Sequence, residues 1–134
     1  MRVFGYGRVS TADQTASNQL QELQQQLGFE IEPQRWFAET VSGGVPSSER
    51  EGFNKLLERL EAGDLLVVSK LDRIGRDALD VVSTIRRLAE KGIKVKVLAL
   101  GDVDLTSTAG KAILGILATV AELEKDLIIE RTKA

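Results

Sequence analysis

The sequence contains no cysteine and no histidine, and these absences exclude several kinds of chemistry. Without cysteine there are no disulfides and no thiol nucleophile, and without both residues there is no Cys/His zinc site. A catalytic triad with histidine as its base is excluded as well. The remaining nucleophiles are serine, threonine, tyrosine, lysine and carboxylates. Proton transfer must therefore use carboxyl groups, lysine, tyrosine, water or an unusually placed arginine.

Long hydrophobic runs and an excess of positive charge are also absent. No segment is apolar for long enough to span a bilayer and no signal-peptide pattern is present, so we expect a soluble intracellular protein without a membrane partner. The formal net charge is −2 and the isoelectric point is about 5.3, which is not a global signature of a nucleic-acid-binding protein. If the substrate is DNA, its affinity must come from a local basic patch or from a part outside this chain.

The hydrophobic pattern predicts one α/β domain, because segments typical of strands alternate with segments typical of helices. We expect a largely parallel (mixed) central sheet flanked by helices, with strands at residues 2–9, 34–39, 65–68 and 93–97. The continuous apolar run at 65–68 indicates a central strand, and the alternation at 93–97 indicates a strand nearer an edge.

Helix boundaries are indicated by capping residues and glycines. Capping boxes are predicted at Thr11 with Gln14 and at Ser48 with Glu51, an N-cap at Asp77, and helix ends at Gly28 and Gly92. The core side of the helix after Asp77 is predicted to be Leu79, Val82, Ile85 and Leu88.

The last segment is apolar on more than one helical face. Its apolar residues are Ile113, Leu114, Ile116, Leu117, Val120, Leu123, Leu127 and Ile128. A helix with such a pattern must be covered on several sides, so we expect a second copy of the chain to cover it. No stop signal follows, which indicates a fragment with an α/β core over about residues 1–105 and a long oligomerisation helix over about 106–134.

Two polar segments directly follow predicted strands. Arg8 and Ser10 lie at the end of the first strand, while Asp72, Arg73 and Arg76 follow the third predicted strand, at 65–68. The carboxyl ends of neighbouring parallel strands share one crevice, and ligands bind there. Because guanidinium groups pair with phosphate oxygens, a hydroxyl with three arginines and a carboxylate suggests chemistry on a phosphodiester.

Each of these residues also has a structural interpretation. Ser10 could be an N-cap serine, and Asp72 with its neighbouring arginines could form a solvated ion-pair network. Arg50 is predicted in the first turn of a helix, where a cation opposes the helix dipole. It either binds an anion or lies at the surface beside Glu49 or Glu51.

No metal site and no cofactor site are predicted. Asp102 and Asp104 are interpreted as residues that precede or cap the last helix, rather than as metal ligands. Gly5 and Gly7 lack the third glycine and the following acid of a dinucleotide-binding motif.

These motifs together resemble the N-terminal catalytic domain of the serine recombinases, in the resolvase/invertase group. The resemblance rests on YGRVST at 6–11, KLDRIGRD at 70–77, ELEKDLIIERT at 122–132, and Ser42-Gly43 followed by Arg50-Glu51-Gly52. It runs from residue 2 to about residue 133. It implies site-specific DNA recombination, with cleavage and rejoining through a covalent 5′-phosphoserine intermediate and without a metal or cofactor.

The resemblance also implies roles for individual residues. Ser10 would attack the scissile phosphate, and Asp72 would orient the arginines or assist proton transfer. Ser42 is a second-tier candidate, and Gln19 and Lys70 match active-site positions with less certain roles. The phosphate would be held and its transition-state charge stabilised by Arg8, Arg50, Arg73 and Arg76.

The partners that the resemblance implies are a double-stranded recombination site and further copies of the chain. The last helix would form a homodimer, the synaptic complex would be a tetramer, and a C-terminal helix-turn-helix domain would follow. Lys125, Arg131 and Lys133 would approach the DNA. The implied location is the cytoplasm of a bacterium, with the protein associated with the nucleoid or encoded by a mobile element.

Two other functions are compatible with the residues. One is a non-catalytic α/β module that dimerises and binds an anion, and the other is a small-nucleotide or phosphoester enzyme. Whether DNA is resolved, inverted or integrated is left open.

Overall fold

The computed structural model describes the backbone of residues 1–9 and 16–133 and the side chains of residues 1–9 and 18–131. In this part of the chain, one parallel sheet has the strand order β2-β1-β3-β4. Its strands are β1 (Val3–Val9), β2 (Trp36–Thr40), β3 (Leu65–Val68) and β4 (Lys94–Val97). The α-helices are α1 (Ala16–Leu27), α2 (Glu51–Arg59), α3 (Ala78–Glu90) and α4 (Thr108–Lys133). The predicted α/β fold with a long last helix is confirmed.

The sheet positions follow from the hydrophobic pattern. All four residues of β3 are buried, as expected of a central strand, and β4 alternates between partly exposed and buried residues at an edge. Helices α2, α3 and α4 pack on one face of the sheet around the main core. On the other face, Leu23 of α1 packs against Leu65 and Val67.

Several predicted boundaries are confirmed. Gly28 and Gly92 follow α1 and α3 with φ of +80° and +76°, a conformation that glycine adopts without strain. Asp77 is the N-cap of α3 and its side chain accepts a hydrogen bond from the Asp80 N–H. β2 begins later than predicted, because Pro33–Arg35 forms a 3-10 turn.

The capping box predicted at Ser48 and Glu51 is wrong. Ser48 lies in a 3-10 turn (Ser47–Glu49), and α2 has no side-chain hydrogen bond from its N-cap residue. The first N–H groups of α2 are instead satisfied by Glu39 of β2. Its carboxylate accepts hydrogen bonds from Gly52 N at 3.1 Å and Phe53 N at 2.7 Å. The N-terminus of α2 is therefore capped by the side chain of a strand residue that lies 13 positions before Gly52.

Leu79 is not a core residue, contrary to prediction. It is 63% exposed, while Val81 is buried with Val82, Ile85 and Leu88. The buried face of α3 is thus rotated away from Leu79, which lies in the first turn. There Leu79 lines a cavity of about 380 Å³ together with residues from the second half of α4.

Helix α4 enters the main core near its beginning. Leu114 is buried in the main core, and Gly110 lies directly on the backbone of Asp104 and Leu105. The rest of the helix leaves an exposed apolar stripe of Ile116, Val120, Leu123 and Leu127, each at least 40% exposed. The prediction of apolar residues on more than one face is confirmed.

The aspartates before α4 have structural partners. Asp104 Oδ1 accepts hydrogen bonds from Thr106 N and Oγ1, and Asp102 pairs with Lys96 at 2.6 Å. Within the described ranges, no group of acidic residues is arranged to hold a metal ion. None of the helices in the same ranges combines the length and apolarity needed to cross a membrane.

Candidate active site

Residues from the ends of two neighbouring strands meet in an ion-paired cluster. Arg8, near the end of β1, is 8% exposed, and its Nη2 lies 3.8 Å from Asp72 Oδ2. Arg73 Nη1 donates a hydrogen bond to Asp72 Oδ1 at 2.8 Å. Because β1 and β3 are paired in parallel, their carboxyl ends lie side by side. The structure thus brings Arg8, Asp72 and Arg73 together, as the sequence predicts.

This cluster retains positive charge. Arg8 and Arg73 share the carboxylate of Asp72, so among the described residues these two cations have one anion between them. The Nε atoms of both arginines are buried, and neither has a hydrogen-bond partner in the described part of the chain. Buried charges are costly unless they are paired, and an anionic group at this site would lower that cost.

Gln19 fixes the backbone of Arg8. Its Nε2 donates to Arg8 O at 2.7 Å, and its Oε1 accepts from Arg8 N at 3.1 Å. The close approach needs Gly7, because a Cβ there would lie 3.0 Å from Gln19 Oε1 and 2.6 Å from Trp36 Cη2. Gln19, whose role the sequence left uncertain, therefore holds Arg8 in place.

Arg50 is fully buried and its side chain binds backbone carbonyls. Its Nε donates to Val45 O, its Nη1 to Asp72 O and Arg73 O, and its Nη2 to Gly43 O, at 3.0–3.3 Å. A guanidinium has five N–H donors, and these carbonyls engage four of them. The interpretation of Arg50 as a surface residue beside Glu49 or Glu51 is wrong. Arg50 instead connects the loop before α2 to the segment that carries Asp72 and Arg73.

Arg76 and Lys70 are more accessible. The Arg76 side chain is 51% exposed, and its Nε lies 3.6 Å from Asp77 Oδ2. It lines a cavity of about 200 Å³ that also touches Asp72 and Leu117 of α4. Lys70 is exposed and forms no ion pair with any described residue. Lys70 is the N-cap of the 3-10 turn Leu71–Arg73, and its carbonyl accepts a hydrogen bond from Arg73 N at 3.2 Å, but its side chain has no ion pair with the described residues of the arginine cluster.

Other candidate residues lie elsewhere or outside the described ranges. Ser10, like the capping box of Thr11 and Gln14, lies outside the described residues. Ser42 is exposed and its Oγ accepts a hydrogen bond from Gly44 N. Lys125 and Arg131 are exposed on α4, and the side chain of Lys133 lies outside the described residues.

Sequence reasoning missed several residues that hold the site together. The guanidinium of Arg8 lies against Gly43, where an added Cβ would be 3.3 Å from Nη2. Tyr6 donates a hydrogen bond to Glu39 Oε2 at 2.6 Å, and burial together with this hydrogen bond raises the pKa of the Tyr6 phenol. Its hydroxyl therefore stays neutral and donating. The sequence feature that could have indicated these contacts is Glu39, an acidic residue at the end of a predicted strand.

Comparison with known proteins identifies the class. Residues 3–134 match the family described as Resolvase, N terminal domain. The chain is 53% identical over 131 residues to the Transposon Tn2501 resolvase of Escherichia coli, covering 98% of this chain and 67% of that protein. It is 50% identical over 131 residues to Serine recombinase PinR of Escherichia coli (strain K12), covering 98% and 66%.

Solved structures agree with this class. The N-terminal catalytic domain of TP901-1 integrase aligns with a TM-score of 0.71 at 23% identity, covering 95% of this chain and 98% of that one. A resolvase family site-specific recombinase from Streptococcus pneumoniae aligns with a TM-score of 0.71 at 26% identity, covering 99% and 93%.

The parallel sheet, the long last helix and the arginine cluster at the strand ends therefore define a recombinase-type catalytic domain. The chain belongs to the resolvase family of serine recombinases, whose N-terminal domain it matches. It spans about two thirds of the length of these curated relatives. The matches support a site-specific recombinase enzyme and do not favour a non-catalytic anion-binding module.

Proposed function

We propose that this chain cleaves and rejoins DNA strands at specific sites, with Ser10 as the covalent nucleophile. The observation that carries this proposal is the cluster of Arg8, Asp72 and Arg73, in which two guanidinium groups share one carboxylate. Ser10 follows Val9, the last residue of β1, and so lies two positions after Arg8 in the chain. A nucleophile beside guanidinium groups suits attack on a phosphodiester.

The proposed cleavage step exchanges one phosphodiester bond for another. The bond between Ser10 Oγ and phosphorus forms while the bond between phosphorus and the 3′ oxygen breaks. The proton that leaves the serine hydroxyl is balanced by one that arrives on the 3′ oxygen. The 5′ phosphate stays on the serine, and attack by a 3′-hydroxyl in the reverse sense rejoins the strand. The bond energy is conserved, so we propose that no cofactor is consumed.

The arginines supply the electrostatic part of this mechanism. Arg8, Arg73 and Arg76 are proposed to hold the phosphate oxygens, because guanidinium groups bind them in bidentate fashion. Arg50 contributes mainly by fixing the backbone beneath Asp72 and Arg73, since four of its donors are already engaged. Asp72 orients Arg8 and Arg73. We propose that these positive charges take the place that metal ions have in many other phosphoryl-transfer enzymes.

The proposed partners are a double-stranded recombination site and further copies of the chain. The exposed apolar stripe on α4 supports a homodimer through this helix, with a tetramer in the synaptic complex. Lys125, Arg131 and Lys133 are proposed to contact DNA. A C-terminal helix-turn-helix domain is proposed to follow the chain, in a cytoplasmic bacterial protein associated with the nucleoid or encoded by a mobile element.

A covalent-adduct assay tests the proposal. Residues 1–134 are fused to a DNA-binding domain of known specificity and incubated with a matching site in the presence of EDTA. A denaturing gel should show a protein–DNA adduct for the wild-type fusion and none for Ser10→Ala. Ser83→Ala, an exposed serine on α3, serves as the matched control and should form the adduct normally.

Two results would contradict the proposal. One is an adduct that persists in Ser10→Ala, which would move the covalent link to another residue. The other is no adduct from the wild-type fusion when footprinting shows that the DNA site is occupied.

A further inference from the structure

Asp80, in the first turn of α3, binds two separate segments of the candidate active site. Its Oδ2 accepts hydrogen bonds from Ser47 N and Arg76 N, each at 2.8 Å. Its Oδ1 accepts a hydrogen bond from Ser47 Oγ at 2.6 Å. One carboxylate thus joins the turn before α2 to the segment between β3 and α3. No feature of the sequence motifs marked Asp80 for this function.

The Ser47 side of this contact is enclosed. Ser47 is 2% exposed, and its Oγ also lies 3.3 Å from Thr84 Oγ1. Gly75 packs on the carboxylate, since an added Cβ there would lie 2.8 Å from Asp80 Oδ2. Burial acts to raise the pKa of the Asp80 carboxyl, but the hydrogen bonds from Ser47 and Arg76 hold that pKa below its usual range. The carboxylate is therefore charged when it binds both segments.

The two segments each position an arginine. Ser47 begins the short turn (Ser47–Glu49) that leads directly into Arg50, and Arg50 N itself bonds to Ser47 O at 3.2 Å. Arg76 is held by Asp80 at its own backbone N–H. A shift of the Asp80 carboxylate would therefore move the backbone of Arg76 and the turn that carries Arg50.

We propose that Asp80 is a positioning residue for DNA cleavage, which sets the relative placement of the Arg50 and Arg76 backbones. The proposal rests on the proposed function, because it assigns these arginines to the cleavage reaction. Asp80 does not contact the reacting atoms. It acts by pre-organising charged groups, and small displacements of such groups slow catalysis strongly.

The test compares Asp80→Ala with Asp80→Asn in the fusion protein used for the adduct assay. Alanine removes all three accepted hydrogen bonds. Asparagine can keep two of them, because its Oδ1 can accept from both backbone N–H groups, and it can replace the third by donating from Nδ2 to Ser47 Oγ. At saturating DNA, we expect Asp80→Ala to form the adduct at least about tenfold more slowly than wild type. The DNA concentration for half-maximal rate should change by less than about twofold, and Asp80→Asn should recover most of the rate.

Asp64→Ala is the matched control for a purely structural effect. The Asp64 carboxylate is buried, whereas that of Asp80 is half-buried, and it likewise accepts three hydrogen bonds, two from Arg2 and one from Glu61 N. It lies just before β3, at the opposite end of that strand from the arginine cluster. The adduct rate of its folded fraction should match wild type. A wild-type rate for folded Asp80→Ala, or equal slowing by Asp64→Ala, would overturn the proposal.

A spectroscopic measurement separates this proposal from the proposed function. In the unfused 134-residue chain, the Arg50 Nε–H gives a nuclear magnetic resonance signal that reports its hydrogen bond to Val45 O. Asp80→Ala should shift this signal and the Arg76 amide signal, while Asp64→Ala should leave both in place. If wild type forms no adduct, the proposed function fails, yet these shifts still test the positioning. Unchanged Arg50 and Arg76 signals in Asp80→Ala would refute the positioning role of Asp80.

Discussion

Replacement of Arg50 should destabilise the domain more than replacement of any exposed arginine. Arg50→Ala removes four hydrogen bonds to the carbonyls of Val45, Asp72, Arg73 and Gly43. Each hydrogen bond to a charged group is worth about 1.5–3 kcal/mol, and the contributions are not additive. We therefore expect the free energy of unfolding to fall by roughly 4–5 kcal/mol, near the upper end of single substitutions.

Arg50→Lys should recover only part of this loss. Lysine keeps the charge but offers three donors from one point, so it cannot reach four carbonyls that surround a planar group. We expect a decrease of roughly 2–3 kcal/mol in the free energy of unfolding. Urea denaturation followed by circular dichroism gives both values if the slope of each transition matches wild type.

Arg59→Ala provides the control for this series. Arg59 is exposed in the last turn of α2, and its guanidinium carbon lies 5.9 Å from the centre of the Phe37 ring. Its loss should cost less than about 1 kcal/mol. If Arg50→Ala cost no more than Arg59→Ala, the assignment of Arg50 as a buried connection between two segments would be wrong.

Two further predictions concern α4. Gly110→Ala should lower the free energy of unfolding, because the added methyl group meets the backbone of Asp104 and Leu105. In Gly115→Ala the added methyl group meets no atom within 4 Å, so the free energy of unfolding should rise by roughly 0.5–1 kcal/mol through helix propensity. Equal effects of the two substitutions in urea denaturation would refute the close packing of Gly110 on Asp104 and Leu105. In sedimentation equilibrium, Leu123→Gln should weaken the proposed dimer by at least about tenfold, since each Leu buried is worth about 1.5–3 kcal/mol. The neighbouring exposed Glu122→Gln should not weaken it, and equal dimer constants would refute an interface on the apolar stripe.

Much of the fold was predictable because its signals are local. The apolar run of β3 indicates a strand, and the glycines after α1 and α3 indicate helix ends. Each of these signals involves only a few adjacent residues. The meeting of Arg8, Asp72 and Arg73 was predictable for a related reason. Parallel strands bring their carboxyl ends to one edge of the sheet whatever the details of the helices.

The errors have non-local causes. Ser48 and Glu51 have the spacing of a capping box, but α2 begins only at Glu51. Glu39, from a strand, accepts hydrogen bonds from the N–H groups of Gly52 and Phe53 in its first turn. Leu79 fits the helical period, yet the first turn of α3 projects beyond the core. The burial of Arg50 depends in part on the carbonyls of Asp72 and Arg73, which lie 22 and 23 positions away in the sequence, so a local pattern did not indicate it. Asp80 was missed for the same reason.

The capping of α2 by Glu39 makes this helix dependent on the sheet. α2 has nine residues, which is too few for a stable isolated helix, and its first N–H groups find an acceptor only when β2 is in place. Arg50 stands at the N-cap of this helix. An incompletely folded chain, in which β2 has not joined β1, therefore lacks the support for a complete arginine cluster. Assembly of the candidate active site is in this way tied to completion of folding.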